Sequence, residues 1–146
     1  YKRFFMKKES IMNRKHFYII AGIFILALAG CSIKKEDTKK IQDIEFTVVA
    51  PEDVPEELKA DIEKARDTPF RLTYADQGYL YMARGYGEKE KTGYSVEVNA
   101  CYETSDAIRI QTTLLGPAKG EKTKEKKTYP YVVMKTEYRE KDVIFE

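Results

Sequence analysis

From Tyr94 to Tyr102 the chain alternates between two kinds of residue at every second position: Tyr94, Val96, Val98, Ala100 and Tyr102 fall on one side of an extended backbone, and Ser95, Glu97, Asn99 and Cys101 on the other. A period of two is the mark of a strand with one face in a core and one in water. The stretch therefore commits the chain to a sheet, and the rest of the sequence can be read for what would pair with it and cover it. Ile41–Val49 is β-branched and aromatic and reads as one strand. Phe70–Ala75 and Tyr79–Arg84 flank Asp76-Gln77-Gly78, a turn signal, and predict a hairpin. Gly85 and Gly87 on either side of Tyr86 suggest a bulge or tight exit. Ala107–Leu115, with Ile108, Ile110 and Leu114 on one side, then Tyr131–Lys135 and Val143–Phe145, supply the remaining strands, and 116–128 is a lysine-rich loop.

The period changes to 3.6 in one place. Leu58, Ile62 and Ala65 recur at i, i+4 and i+7 and form one apolar stripe. Asp53 and Glu56 have the spacing of a capping box, and Pro55 sits in the first turn. Glu56 and Glu57 suit the positive end of the helix dipole, Lys64 and Arg66 the negative end, and Pro69 stops the helix. The expected fold is α+β: a mainly antiparallel sheet of about seven strands with one N-terminal helix packed on it.

The N-terminal region has a different character. Arg14, Lys15 and His16 precede 14 apolar residues, 17–30. As a helix that run spans about 21 Å, short of a bilayer core of about 30 Å but suited to the central part of an export signal. It ends in Leu28-Ala29-Gly30-Cys31, which resembles the lipobox of bacterial lipoproteins. Cleavage between Gly30 and Cys31, with lipid on the Cys31 thiol, is the expectation. A start at Met12 would give this signal an ordinary length. Residues 1–30 are then the signal, 31–40 a polar flexible tether, and 41–146 the folded domain, held to the extracytoplasmic face of the cell membrane by its lipid.

This division changes what the charge means. The whole chain is formally +2, but residues 31–146 hold 20 Lys+Arg against 23 Asp+Glu, a net −3. Binding to nucleic acid, which calls for a basic patch-bearing domain, has no support. The single histidine, His16, lies in the signal. Without it the domain has no Ser-His-Asp or Cys-His catalysis and lacks the commonest zinc ligand. Cys101 has no intramolecular partner once Cys31 carries lipid, and on the polar face it reads as an inert small residue. No cofactor or metal is expected, and an enzyme is not. Glutamates and aspartates alone could form a glycosidase-type pair, but no spacing selects one.

Residues 87–98, Gly-Glu-Lys-Glu-Lys-Thr-Gly-Tyr-Ser-Val-Glu-Val, followed later by Tyr129-Pro130-Tyr131-Val132-Val133-Met134, resemble the C-terminal domain of the PrcB family of protease-complex proteins. That family shows a glycine, a short polar loop, Thr-Gly-Gly-Tyr and an alternating strand, then Pro-Tyr before a hydrophobic strand. Here Thr92-Gly93 precede Tyr94, and Lys91 stands at the family's Thr position. The resemblance runs from about Ile41 to the C-terminus and is strongest from Tyr79 to Met134. It implies a non-catalytic extracytoplasmic domain that assists assembly or stability of a protease complex.

The candidate binding loop is Lys91, Thr92, Gly93 and Tyr94. Its plain structural reading is a β-turn in which Gly93 supplies positive φ and Tyr94 begins a buried strand face. Its functional reading is a protein-recognition loop on a rigid sheet. Thr92-Gly93-Tyr94 also resembles the Thr-Gly-Tyr end of the signature loop in chagasin-type cysteine-protease inhibitors, which gives an alternative function as an inhibitor. The many tyrosines, if gathered on one exposed face, would mark an interface. The lysines of 119–127 read as a solvated loop, with anionic lipid headgroups a further contact within reach of a tethered domain.

Overall fold

The computed structural model describes residues 38–146. The expected export signal, Gly30, Cys31 and most of the expected tether lie outside the described residues. Thr38 to Lys40 are exposed and without regular structure.

The 3.6-residue period builds α1 (Glu56–Ala65), with Leu58 and Ile62 buried and Ala65 packed beside them. The expected capping box does not form. Asp53 ends a short 3₁₀ turn (Pro51–Asp53), and Pro55 is the N-cap, with no side-chain hydrogen bond. The cause is local: Pro55 pushes Val54 into extended backbone (φ −72°, ψ 132°), so no helix can run through it.

Among the described residues eight strands make two four-stranded sheets, where one sheet of about seven was expected. They are β1 (Gln42–Asp43), β2 (Thr47–Val48), β3 (Pro69–Asp76), β4 (Tyr79–Tyr86), β5 (Ser95–Glu103), β6 (Ala107–Leu115), β7 (Tyr131–Glu137) and β8 (Asp142–Phe145). One sheet has the order β1-β5-β6-β8 and the other β2-β7-β4-β3. Pairing is antiparallel except between β6 and β8. That parallel pair arises because the chain passes through the other sheet, as β7, before returning beside β6, which supplies the long crossover that parallel strands need. The expected hairpin is present: Asp76 pairs with Tyr79, leaving Gln77 (φ 48°) and Gly78 (φ 82°) as a two-residue turn of type I′.

The segment 41–49, read as one strand, is split in two. Gln42–Asp43 pairs with β5, Ile44 enters the core, and Thr47–Val48 pairs with β7 in the other sheet. Ile44 is buried, and a strand continuing along β5 could not also reach β7.

The middle layer is the β2-β7-β4-β3 sheet. One of its faces meets the other sheet through Leu80, Met82, Val132 and Met134, which pack with Ile44, Cys101, Ile108 and Ile110. Its other face takes the helix: Tyr81, Ala83, Val133 and Phe70 pack with Val54, Leu58 and Ile62. Full burial of a side chain such as Leu58 or Ile62 contributes about 1.5–3 kcal/mol.

Strand β5 corrects the sequence reading most sharply. Its register shifts between Val98, opposite Thr112, and Ala100, opposite Gln111, so Asn99 is an extra residue in a β-bulge. The bulge changes the phase of the alternation. Val96 and Val98 face the core as expected, but downstream Cys101 and not Ala100 turns inward, packed among Ile44, Met82 and Ile110.

Candidate functional site

The loop between β4 and β5 (residues 87–94) and the loop between β6 and β7 (residues 116–130) are far apart in sequence and stitched together in space. Lys89 and Thr128 exchange main-chain hydrogen bonds, the Lys89 N–H donating to Thr128 O at 2.8 Å and the Thr128 N–H to Lys89 O at 2.9 Å. The Thr128 hydroxyl donates to Lys91 O at 2.8 Å. The Thr92 N–H donates to Lys124 O at 3.0 Å, and the Lys124 N–H returns a bond to Thr92 Oγ1 at 2.9 Å. Glu88 accepts from the Tyr129 hydroxyl at 3.2 Å and lies 3.4 Å from Lys127 Nζ. The lysine-rich loop is thus tied at several points to the Lys91-Thr92-Gly93-Tyr94 loop.

Gly93 has φ 101°, a conformation that L side chains rarely adopt, and a Cβ there would lie 2.8 Å from Pro117 Cγ and 3.1 Å from Glu121 Oε2. Glycine therefore does two jobs: it makes the turn and it lets Pro117 close over it. Tyr94 is half-buried and lies next to Gly116, with Lys89 Nζ 5.9 Å from its ring centre. From the second loop, Tyr129 receives the Arg66 guanidinium at the end of α1, 4.1 Å from its ring centre. The double loop is braced on both sides by packed elements.

Beside it runs a groove of about 610 Å³, lined by Val48, Tyr94, Ser95, Val96, Tyr129 and Tyr131, among others. The groove brings together the two separate motifs of the sequence, the Thr-Gly-Tyr loop and Tyr129-Pro130-Tyr131. A larger cleft, about 940 Å³, opens where the chain crosses from β1 to β2, among Asp43, Glu45, Phe46, Tyr79, Lys135 and Arg139. The tyrosines do not gather on one exposed face: Tyr81 is buried, Tyr79 and Tyr138 are exposed, and the others among the described residues are half-buried. Tyr79 carries Lys135 Nζ 4.0 Å above its ring.

What the sequence reading missed is the part that joins these pieces: Pro117, Lys124 and Thr128 hold the candidate loop in place. No local signal announces them, because each contact crosses 24 or more positions.

Cys101 is 4% exposed, and burial pushes its thiol up to about 11. Thiolate is the reactive form, so the native protein should resist thiol reagents at pH 8. We expect labelling of Cys101 by iodoacetamide, read by mass spectrometry, to be at least about a hundredfold slower in native protein than in urea-unfolded protein. Comparable rates would mean that the strand does not turn this residue inward. Among the described residues, no group of three or more His, Cys, Asp or Glu side chains could hold a metal ion, and no helix is long and apolar enough to cross a membrane.

Residues 80–137 match the family model described as PrcB C-terminal. That span runs from Leu80 in β4 to Glu137 at the end of β7, so it contains both stitched loops and the central strands of both sheets. Neither the curated proteins nor the solved structures show a match to the chain.

Proposed function

Residues 80–137 of this chain belong to the PrcB C-terminal family, and on that premise we propose that the protein is a non-catalytic, lipid-anchored module of the cell surface that binds a protein partner and assists assembly or stability of an extracytoplasmic protease complex. The observation that carries the reading is where the family match falls. It encloses the double loop and most of the groove beside it, and leaves β1, β2, α1, β3 and β8 outside. The matched part of the fold is therefore the part that presents a braced loop pair, a suitable platform for recognition. Anchoring through Cys31 is supported by the basic cluster, the short apolar run and the small residues before the thiol.

The alternative, an inhibitor that inserts Thr92-Gly93-Tyr94 into a protease cleft, has less support. Thr92 is bonded through both its N–H and its hydroxyl to Lys124, and Gly93 lies under Pro117, so the tripeptide is not a free projecting tip. Assay of papain-like proteases with the purified protein decides between the two, since the assembly module leaves them uninhibited.

The test of the main reading uses the full-length tagged chain in its own cells. Membranes are cross-linked, the captured proteins identified, and the same capture repeated with Cys31→Ser. An extracytoplasmic protease or its subunits should be recovered, their level should fall in cells lacking the chain, and Cys31→Ser should shift the chain from the membrane to the soluble fraction. Repeated capture of no partner, or a native chain found unprocessed and unmodified in the soluble fraction, overturns the proposal.

A further inference from the structure

A central strand offers two edges for pairing, and β5 has one of them only partly covered. β6 pairs with it along its whole length, from Ser95 opposite Leu115 to Glu103 opposite Ile108. On the other side β1 reaches only Tyr102 and Glu103, and the Ile44 N–H adds one bond to Cys101 O at 2.9 Å. The chain then crosses to the other sheet, where Thr47 meets Lys135. Among the described residues nothing pairs with this side of β5 from Ser95 to Ala100.

The register identifies which groups are left. Cys101 gives its carbonyl to Ile44, so Cys101 and Glu103 turn their main-chain polar groups away from β6. The additional residue at Asn99 shifts the phase by one, and upstream the outward groups are the N–H and C=O of Val98 and Val96. An exposed row of this kind is a template for another strand. Val96, with Tyr94 and Ser95, lies in the wall of the 610 Å³ groove, whose other side is formed by Val48 and Tyr131 among others.

Charge is distributed unevenly around this edge. The two loops, residues 87–94 and 116–130, hold seven lysines and four glutamates, a net +3. The remainder of 38–146 holds 11 basic and 17 acidic residues, a net −6. The positive field is thus concentrated at the end of β5 where the open edge begins. The chain enters the domain at the opposite end, since the Ile41 N–H is bonded to Glu103 O. At about 3.3 Å per residue the two ends of β5 are roughly 26 Å apart. The lysines thus lie beside the open edge and away from the end where Ile41 joins the sheet, and their charge complements an acidic protein segment.

We propose that the open edge of β5 accepts an extended acidic segment of a partner protein as an added strand, paired through Val96 and Val98 and drawn in by the lysines of the double loop. The proposal rests on the reading that this chain binds a protein. Main-chain pairing supplies affinity, the groove takes alternate side chains, and the lysines select carboxylates over cations.

The test measures hydrogen exchange at single amides in the full-length chain, with three eight-residue probes: alternating Glu and Val, alternating Lys and Val, and the Glu/Val peptide with every second amide N-methylated. The Glu/Val peptide should slow exchange at Val96 and Val98 by about tenfold or more, and N-methylation should weaken its binding by about tenfold. Lys122→Glu with Lys124→Glu should reverse the preference toward the Lys/Val peptide. Phosphatidylglycerol vesicles should leave Val96 and Val98 unchanged. Equal binding of the N-methylated peptide overturns strand addition, because the modification is on the probe and the fold of the protein is not at issue. Protection of these amides by vesicles, or by raising the protein concentration alone, assigns the edge to lipid or to a second copy and overturns it as well. If a partner captured from membranes leaves Val96 and Val98 exchanging as in the free chain, strand addition falls and the protein-binding reading stands. If no partner is ever captured, the functional reading itself falls.

Discussion

Gly85→Ala should lower stability by about 3 kcal/mol, although alanine is normally a mild replacement in a strand. Gly85 has no positive φ to lose. Its role is to leave room, because it pairs directly with Phe70 of β3 and the Phe70 ring lies across it. A Cβ at residue 85 would fall 2.1 Å from Phe70 Cε2 and 2.4 Å from Cδ2, well inside contact distance. The ring is poorly placed to retreat: Phe70 is buried, belongs to the cluster of Leu58, Ile62 and Val133 under the helix, and sits 6.5 Å from the Tyr131 ring. Forcing a methyl into such a site drives the ring off its rotamer and opens the helix contact. Phe70→Ala alone should cost about 3–5 kcal/mol through lost burial and a cavity. Since the clash needs both partners, the double variant should cost about 2 kcal/mol less than the sum of the singles. Urea unfolding followed by circular dichroism measures all three, and strict additivity would show that the ring is free to move aside.

That pair illustrates what the sequence reveals and what it conceals. The helix was legible because Leu58, Ile62 and Ala65 need only each other's spacing to be recognised, and α1 buries that stripe. The β3–β4 hairpin was legible for the same reason, since its turn chemistry is contained in Gln77-Gly78. Gly85 reads locally as a bulge or tight exit, yet its reason for being glycine is a ring 15 positions upstream. The second sheet left a signal that goes beyond alternation. Leu80-Tyr81-Met82-Ala83 and Val132-Val133-Met134 are unbroken buried runs, as expected of strands covered on both faces. The division of 41–49 between sheets left none, because β-branched residues favour a strand without choosing its partner. The candidate loop could be named from Thr92-Gly93-Tyr94, but its bracing by Lys124, Thr128 and Pro117 depends on long-range pairing that no local pattern encodes. The partly open edge of β5 follows from the early departure of β1, and so was hidden by the same cause.

Two single-residue deletions should separate sharply, and their contrast tests the β5 register. Deleting Asn99 should leave the protein folded, at a cost of about 1–2 kcal/mol. The core-facing residues of β5 are Val96 and Val98 before the bulge and Cys101 after it. With Asn99 removed, Val98, Ala100 and Cys101 follow in plain alternation, and both halves keep their faces. The losses are the bulge's extra twist and two exposed side-chain bonds, Thr113 to Asn99 and Asn99 to Glu97 at 2.8 Å. Deleting Gln111 from β6, opposite Ala100, should be far worse. β6 has no spare residue, so either Ile108 and Ile110 or Thr112 and Leu114 must turn to the other face. Ile108 and Ile110 are fully buried, and Thr112 Oγ1 meets the Tyr86 hydroxyl of the facing sheet at 2.6 Å. Exposing the two isoleucines alone removes about 3–6 kcal/mol, enough to unfold a domain of ordinary stability. Thermal melting should show one cooperative transition for the Asn99 deletion and none for the Gln111 deletion. Cys101 should stay shielded from iodoacetamide in the first and react at the unfolded rate in the second. Loss of shielding on removal of Asn99 would mean that Cys101 does not owe its buried position to a change of phase at the bulge.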